Sequence, residues 1–200
     1  MPYHHGDLRD ALLDAAETLI REQGVDGWSL REASARVGVS PSAAYHHFKS
    51  RDALVRALSD RVLVRLAHRL ARAAGHARGD SHQRVVALGR TYVRWALEDP
   101  AVARLVFSVG SSGPVTPHPH EVLVAELRRL GLPAGSDFVV WSAIHGLATL
   151  LVDGLMRMES HRAVDRQAER VVRAVLSGLA VEEVDAWPAA RSTHTERQPG

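Results

Sequence analysis

Apolar residues recur three and four positions apart along almost the whole chain, and no stretch alternates with a period of two. That pattern predicts an all-α protein of about nine helices. Leu8, Leu12, Ala15, Ala16, Leu19 and Ile20 form a first stripe that stops at Gly24. A short second helix is predicted from Ser29, with Glu32 three residues on. This is the capping-box pattern, in which the serine takes the N3 amide and the glutamate reaches back. Its apolar side is Leu30, Ala33 and Val37, and Gly38 ends it. Ser40 followed by Pro41 opens a third helix to about His47, because serine caps and proline suits the first helical position. A fourth starts near Arg51 and carries Leu54, Leu58, Val62, Leu66 and Leu70 on one face to about Ala74.

The polar, glycine-bearing stretch 75–80 reads as a domain boundary. Beyond it, helical periodicity covers 82–98, 101–109, 120–130, 136–158 and 163–182. The last of these aligns Val164, Ala168, Val171, Val175 and Leu179 along one side. Residues 110–119, rich in glycine, serine and proline, are expected to be a mobile loop. The expected plan is a helix-turn-helix domain over 1–50, a connecting helix over 51–74 and a larger regulatory domain over 80–182. The polar tail 183–200 is expected to be disordered.

Composition narrows the function without naming it. The chain has 200 residues, 46% of them hydrophobic and 24% charged, which suits a globular protein with its own core. It has no cysteine, so disulfides, thiolate metal sites and cysteine nucleophiles are excluded. No segment reads as a signal peptide. The uncharged run from Phe138 to Val152 is 15 residues, short of the ~20 that a membrane-spanning helix needs. A cytoplasmic protein without membrane contact is therefore expected. The formal net charge is only +2, and residues 1–60 hold seven Lys/Arg against nine Asp/Glu. Any nucleic-acid binding must rest on where charges sit.

Residues 29–48 hold two short helices separated by Gly38-Val39, which is helix-turn-helix spacing. The glycine permits a tight left-handed turn. Ser42, Ala43 and Ala44 are small where bulky side chains would hold the backbone away from base edges. Tyr45, His46, His47 and Lys49 follow, all able to donate hydrogen bonds to phosphate. Phe48 is the apolar plug returning the chain to the core.

Residues 7–74 closely resemble the amino-terminal domain of the tetracycline-repressor (TetR/AcrR) family. The resemblance is carried by Trp28-Ser-Leu-Arg-Glu-Ala, by Gly38-Val39-Ser40, and by Tyr45-His-His-Phe-Lys49. It implies an all-helical homodimer whose carboxy-terminal domain binds a small molecule and sets DNA affinity. It further implies that Ser29 and Leu30 contact phosphate through cap and amide, and that Arg31 reaches a base edge. Pro41, Ser42 and Ala43 would face bases next to Ser40, Tyr45 would touch base or phosphate, and His46, His47 and Lys49 would hold the backbone. Trp141-Ser-Ala-Ile-His145-Gly146 also resembles the subgroup whose regulatory domain is named for a Trp, a His and a Gly.

His145 follows Trp141 by one turn in an apolar helix. Either it hydrogen-bonds a ligand in a cavity walled by Trp141, Tyr92, Trp95 and Phe107, or it is a satisfied core histidine with Gly146 admitting a neighbouring helix. His4, His5 and Asp7 have the makings of a metal-binding trio, and His118 with His120 those of a second site, but a flexible arm and a restrained loop explain them better. No metal and no cofactor are expected. Helices 136–158 and 163–182 are apolar on more than one face, which points to a four-helix homodimer interface. The expected function is a ligand-responsive repressor on a pseudo-palindromic DNA operator, released by a small apolar effector. The alternatives are a metal-sensing or effector-independent DNA binder and, far behind, a helical hydrolase using His145 and Asp153. An enzyme is not expected, since no nucleophile elbow or phosphate loop occurs.

Overall fold

The computed structural model describes residues 5–110 and 113–181, with side chains from Leu8 to Ala180 within those ranges. The described residues form nine α-helices and no strand. They are α1 His5–Gln23, α2 Leu30–Val37, α3 Pro41–His47, α4 Arg51–His76, α5 Ser81–Glu98, α6 Pro100–Val109, α7 Pro119–Arg129, α8 Ser136–Val152 and α9 His161–Val181.

Local chemistry places most helix ends. Ser29, Ser40, Ser50, Asp80 and Asp99 each accept a backbone amide three residues on, satisfying an N–H that the first turn leaves without a partner. Prolines occupy the first turns of α3, α6 and α7, where a missing N–H does no harm. Gly38 takes φ +77°, so the turn between α2 and α3 needs a residue without a Cβ.

Helices α1, α2, α3 and the start of α4 form a small unit around Leu12, Leu19, Ile20, Trp28, Leu30, Ala33, Ala44, Phe48, Leu54 and Leu58, all buried. The long α4 leads from this unit into the second one, packing against α5, α6 and α7. There α5 is the central helix, in contact with α4, α6, α7, α8 and α9. Gly89 makes its closest crossing possible: a Cβ there would lie 2.7 Å from Val172 Cγ2 and 3.4 Å from Ile144 Cδ1.

Several expectations need correction. The predicted helix 136–158 stops at Val152. Gly154 turns left-handed at φ +71°, and Arg104 of α6 donates to the Val152 carbonyl and to Asp153 Oδ1, so the chain end is held away from further helix. The connecting helix runs on through Gly75 to His76. On α9 the buried line is Val164, Ala168, Val172, Leu176 and Leu179; Val171 and Val175 are half-buried beside it. Val172, not Val171, is the residue that faces Gly89. Half of the capping box at Ser29 is missing, because Glu32 Oε1 instead accepts from Gln23 Nε2 at 2.5 Å. Nothing lies within 4 Å of a Cβ built on Gly146, so it admits no close helix within the chain. Residues 113–118 are non-helical as expected, and the tail 183–200 lies outside the described residues.

Candidate functional site

On α3, Ala44 is fully buried and Phe48 nearly so, one turn apart, which fixes which side of the helix faces the core. Pro41, Ser42, Tyr45 and His46, spaced three and four residues apart, are left on the outer face. Tyr45 is 53% exposed, large for a ring with no apolar neighbour to cover it. Ala43 and His47 are half-buried on the flanks, with the Ala43 methyl against the core. Ser40 caps the helix by accepting from the Ala43 amide at 3.2 Å. Just before α2, Ser29 accepts from the Glu32 amide at 3.1 Å; on the helix Leu30 is buried and Arg31 is exposed.

Charge placement answers the question raised by the net acidity of this segment. Three of its acids are taken up by arginines: Glu22 takes both amino groups of Arg36 at 2.9 and 2.7 Å, and Asp14 pairs with Arg61 at 2.7 Å. Glu17, only 5% exposed, accepts from Arg21, Arg61 and Arg65. Burial pushes the Glu17 carboxyl up, but those guanidiniums, Arg65 foremost, outweigh it and hold it below the ordinary 4.5. Arg31, His46 and Lys49 form no ion pair among the described residues. Arg31 on α2 and Lys49 just beyond α3 therefore stand as unpaired cations beside the exposed face of α3, although the segment as a whole is acidic.

Two residues that the sequence did not single out hold this face in place. Arg51, first in α4, lies over the Trp28 ring at 4.7 Å and donates to the carbonyls of Trp28, at 3.1 Å, and Val25. It clamps the α1–α2 turn to α4. Arg9 lies 5.2 Å over the Phe48 ring. The available signal for Arg51 is a cation in a helix's first turn, where the dipole disfavours it unless other partners compensate.

In the second unit the five predicted aromatic and histidine residues do come together. Tyr92 Oη and His145 Nδ1 are 2.9 Å apart. The Phe107 and His145 rings meet edge to face with centroids 4.5 Å apart, Tyr92 and Trp141 likewise at 5.2 Å, and Trp95 stands 5.7 Å from Tyr92. Burial lowers the His145 pKa and raises that of Tyr92, so the pair is a neutral imidazole and a phenol. The bond runs from the phenol to Nδ1 in the tautomer that carries its hydrogen on Nε2, and from Nδ1 to the phenol oxygen in the other; Nε2 has no partner among the described residues. Phe107 also lines a cleft of about 680 Å³ between the two units, with Val25, Arg51 and Val55 on one side and Thr149 and Asp153 on the other.

The histidines weighed as metal ligands have other work. His118 Nδ1 accepts from the His120 amide at 3.2 Å while Glu121 accepts from the His118 amide at 3.0 Å, a complete capping box on α7. His120 Nε2 lies 2.9 Å from Asp137. Among the described residues no three His, Asp or Glu side chains gather as a metal site; His4 and the side chains of His5 and Asp7 lie outside them. Asp153, the partner once weighed for His145 in hydrolysis, is paired with Arg104 at 3.3 Å.

Residues 12–58 match the family profile described as "Bacterial regulatory proteins, tetR family", and residues 85–175 match "Tetracyclin repressor-like, C-terminal domain". The chain belongs to the TetR family. The first match spans the whole α2–α3 face and the second spans the aromatic cluster. An "HTH-type transcriptional regulator YobS" of Bacillus subtilis is 32% identical over 89 residues, covering 44% of this chain and 46% of that protein. The "Tetracycline repressor protein class D" of Escherichia coli is 35% identical over 57 residues, 28% of this chain and 26% of that one. This chain thus matches under half the length of these relatives. Among solved structures, a protein of unknown function from Rhodococcus sp. RHA1 is 30% identical with a TM-score of 0.70, covering 90% of this chain and 99% of that chain. A TetR-family regulator from Pectobacterium atrosepticum shares the fold at 22% identity and a TM-score of 0.67, covering 89% and 96%. The fold is all-α, and the family is one of transcriptional regulators that bind DNA through a helix-turn-helix. No helix among the described residues is long and apolar enough to cross a membrane.

Proposed function

We propose that this TetR-family regulator is a repressor that binds a pseudo-palindromic operator as a dimer and releases it when a small apolar molecule binds the second unit. The observation that carries the reading is the outer face of α3: Ser42, Tyr45 and His46 exposed on a helix whose other side is pinned by Ala44 and Phe48. Small residues at its start let the backbone approach base edges, with Pro41 suited to a thymine methyl and Ala43, half-buried, at the margin of that face. Arg31 would read a guanine, and Ser29, the Leu30 amide, Ser40, Tyr45, His46, His47 and Lys49 would hold phosphates. Sparse hydrogen-bonding capacity on α3 leaves DNA shape a large part in recognition.

Two reading units about 34–36 Å apart would meet successive major grooves. The dimer reading draws support from α8, where Val139, Gly146 and Leu150 lie along one side, with Val139 48% and Leu150 40% exposed. Packed against the half-buried Val171 and Val175 of α9, that side would complete a four-helix interface. In this reading His145 offers its Nε2–H to the effector, and Phe107 transmits the change to the cleft beside Arg51. The effector shifts the equilibrium only by its differential affinity for the two arrangements.

Genomic fragments from the parent organism, sheared and selected on the purified protein at low ionic strength, test this. The expected result is enrichment of a two-fold symmetric site that is protected by two copies of the chain. A monomer in solution, or no enrichment over bulk DNA, refutes it.

A further inference from the structure

The middle of α4 carries a second recognisable surface, far along the helix from α3. A groove of about 440 Å³ is lined by Val62, Arg65, Leu66, His68, Arg69, Arg72 and Trp95. Four of these seven are basic and none is acidic. The two acids that reach the groove's arginines come from outside its walls: Glu17 meets Arg65 at 2.8 Å, and Glu98 takes both amino groups of Arg69 at 2.5 and 2.8 Å. His68 and Arg72 have no ion pair among the described residues. The floor is apolar, Val62 and Leu66 with the edge of Trp95, which is 9% exposed. Behind that edge Trp95 lies 5.7 Å from Tyr92 and 6.2 Å from Phe107, so the groove and the aromatic cluster share one ring as a wall.

The groove is concave, with Arg65, His68 and Arg72 exposed along the rim. Its floor side chains Val62, Leu66 and Trp95 are 1%, 2% and 9% exposed, so that a small molecule seated there meets chiefly the guanidinium groups and the edge of Trp95. Guanidinium groups match the planar oxygens of phosphate and carboxylate, and an unpaired Arg72 beside His68 supplies donors that no protein carboxylate uses. We propose that this groove binds a small organic anion: a phosphate or carboxylate held by Arg72 and His68, on an apolar ring or short chain lying over Leu66 and Trp95. Arg65 and Arg69 are the second rank of donors. The arginine side of their pairs with Glu17 and Glu98 is open to solvent, Arg65 more than Arg69. A bound anion that drew on them would loosen the hold of α4 on α1 and on the end of α5. This site is separate from the effector role of His145 and stands whether or not that role is correct.

The test is direct binding to the full-length protein by calorimetry, without DNA, using 1-naphthyl phosphate, 1-naphthoate, 1-naphthol and inorganic phosphate. At least one naphthyl anion is expected to bind at least tenfold more tightly than both naphthol and inorganic phosphate; which one is tighter identifies the anionic group. His68→Asn with Arg72→Gln is expected to weaken that binding at least tenfold, with an unchanged unfolding curve because both side chains are exposed. His145→Asn is expected to leave it within twofold, which separates this site from the aromatic cluster. Three results overturn the proposal: naphthol binding as tightly as its anions, full binding by the double variant, or no binding at millimolar ligand. A double variant that loses affinity for duplex DNA and keeps it for the anion also overturns it, by making the groove a nucleic-acid contact.

Discussion

Arg21 of α1 donates from Nε to Asp99 Oδ2 at 2.7 Å, while Oδ1 of the same carboxylate caps α6 through the Val102 amide at 3.3 Å. One side chain thus joins the DNA-reading unit to the helix that carries Phe107. The cap and the ion pair are separable. Asp99→Ala removes the cap together with the pair and is expected to destabilise the protein by about 1–2 kcal/mol. Arg21→Ala removes the pair and one of three guanidiniums on the buried Glu17, the other two remaining, and is expected to cost about 1 kcal/mol. Denaturant unfolding of the two variants checks this. Equal losses would mean that the tie to α1, and not the cap, carries the stability.

Lys49 and Arg31 are expected to fail in different ways. Lys49→Ala should weaken binding to all sequences alike and reduce the salt slope by about one per lost phosphate contact. Arg31→Ala should cost roughly 1–3 kcal/mol and relax selection at one base pair per half-site. Binding measured across a salt series on specific and scrambled duplexes distinguishes the two. An unchanged slope for Lys49→Ala, or uniform loss for Arg31→Ala, contradicts the assigned roles.

The buried titratable groups set two windows of acid sensitivity. His145 has a folded-state pKa below the ordinary 6.5, so on acidification the unfolded chain takes up the proton first and stability falls as pH drops below about 6.5. Glu17 is also lowered, from 4.5, so its contribution is complete above that pH and is lost as pH falls through its folded value. His145→Asn is expected to reduce the upper window, which it shares with His118, likewise lowered by burial, and Glu17→Gln to reduce the lower one. Unfolding free energies between pH 3 and 8 for both variants give the comparison, and a variant that changes the other window refutes the assignment.

Gly89→Ala tests the packing of α5. Its methyl would meet Val172 at 2.7 Å and Ile144 at 3.4 Å, on side chains themselves buried, so the crossing must open. The expected loss is about 1–3 kcal/mol, recovered in large part by Val172→Ala in the double variant. Absence of that rescue would show that the strain lies elsewhere.

For the aromatic cluster, Tyr92→Phe keeps the ring contacts and removes only the hydroxyl that is bonded to Nδ1. It should leave DNA affinity near the parent's while changing the response to effector, since Nδ1 of His145 then loses that partner. Weakened DNA binding without effector would mean that the pair stabilises the fold and does not serve ligand recognition.

Much of this molecule is legible from residues within four positions of one another. Ser29, Ser40 and Gly38 mark the reading motif because capping and left-handed turns are local events, and the apolar period places the helices for the same reason. The aromatic cluster was also legible, since Trp141 and His145 are one turn apart. What escaped reading was how the helices are rotated and where contact stops them. Arg104 ends α8 from 48 positions away, Glu17 gathers Arg65 from 48 away, and Tyr92 finds His145 from 53 away. Gly89, not Gly146, proved to be the glycine under a crossing helix, because nothing in either neighbourhood of the chain says which helix will arrive there. Local propensity depends on neighbours in the chain and survives without a fold. The partner of a guanidinium or the neighbour of a missing Cβ exists only once distant helices have packed.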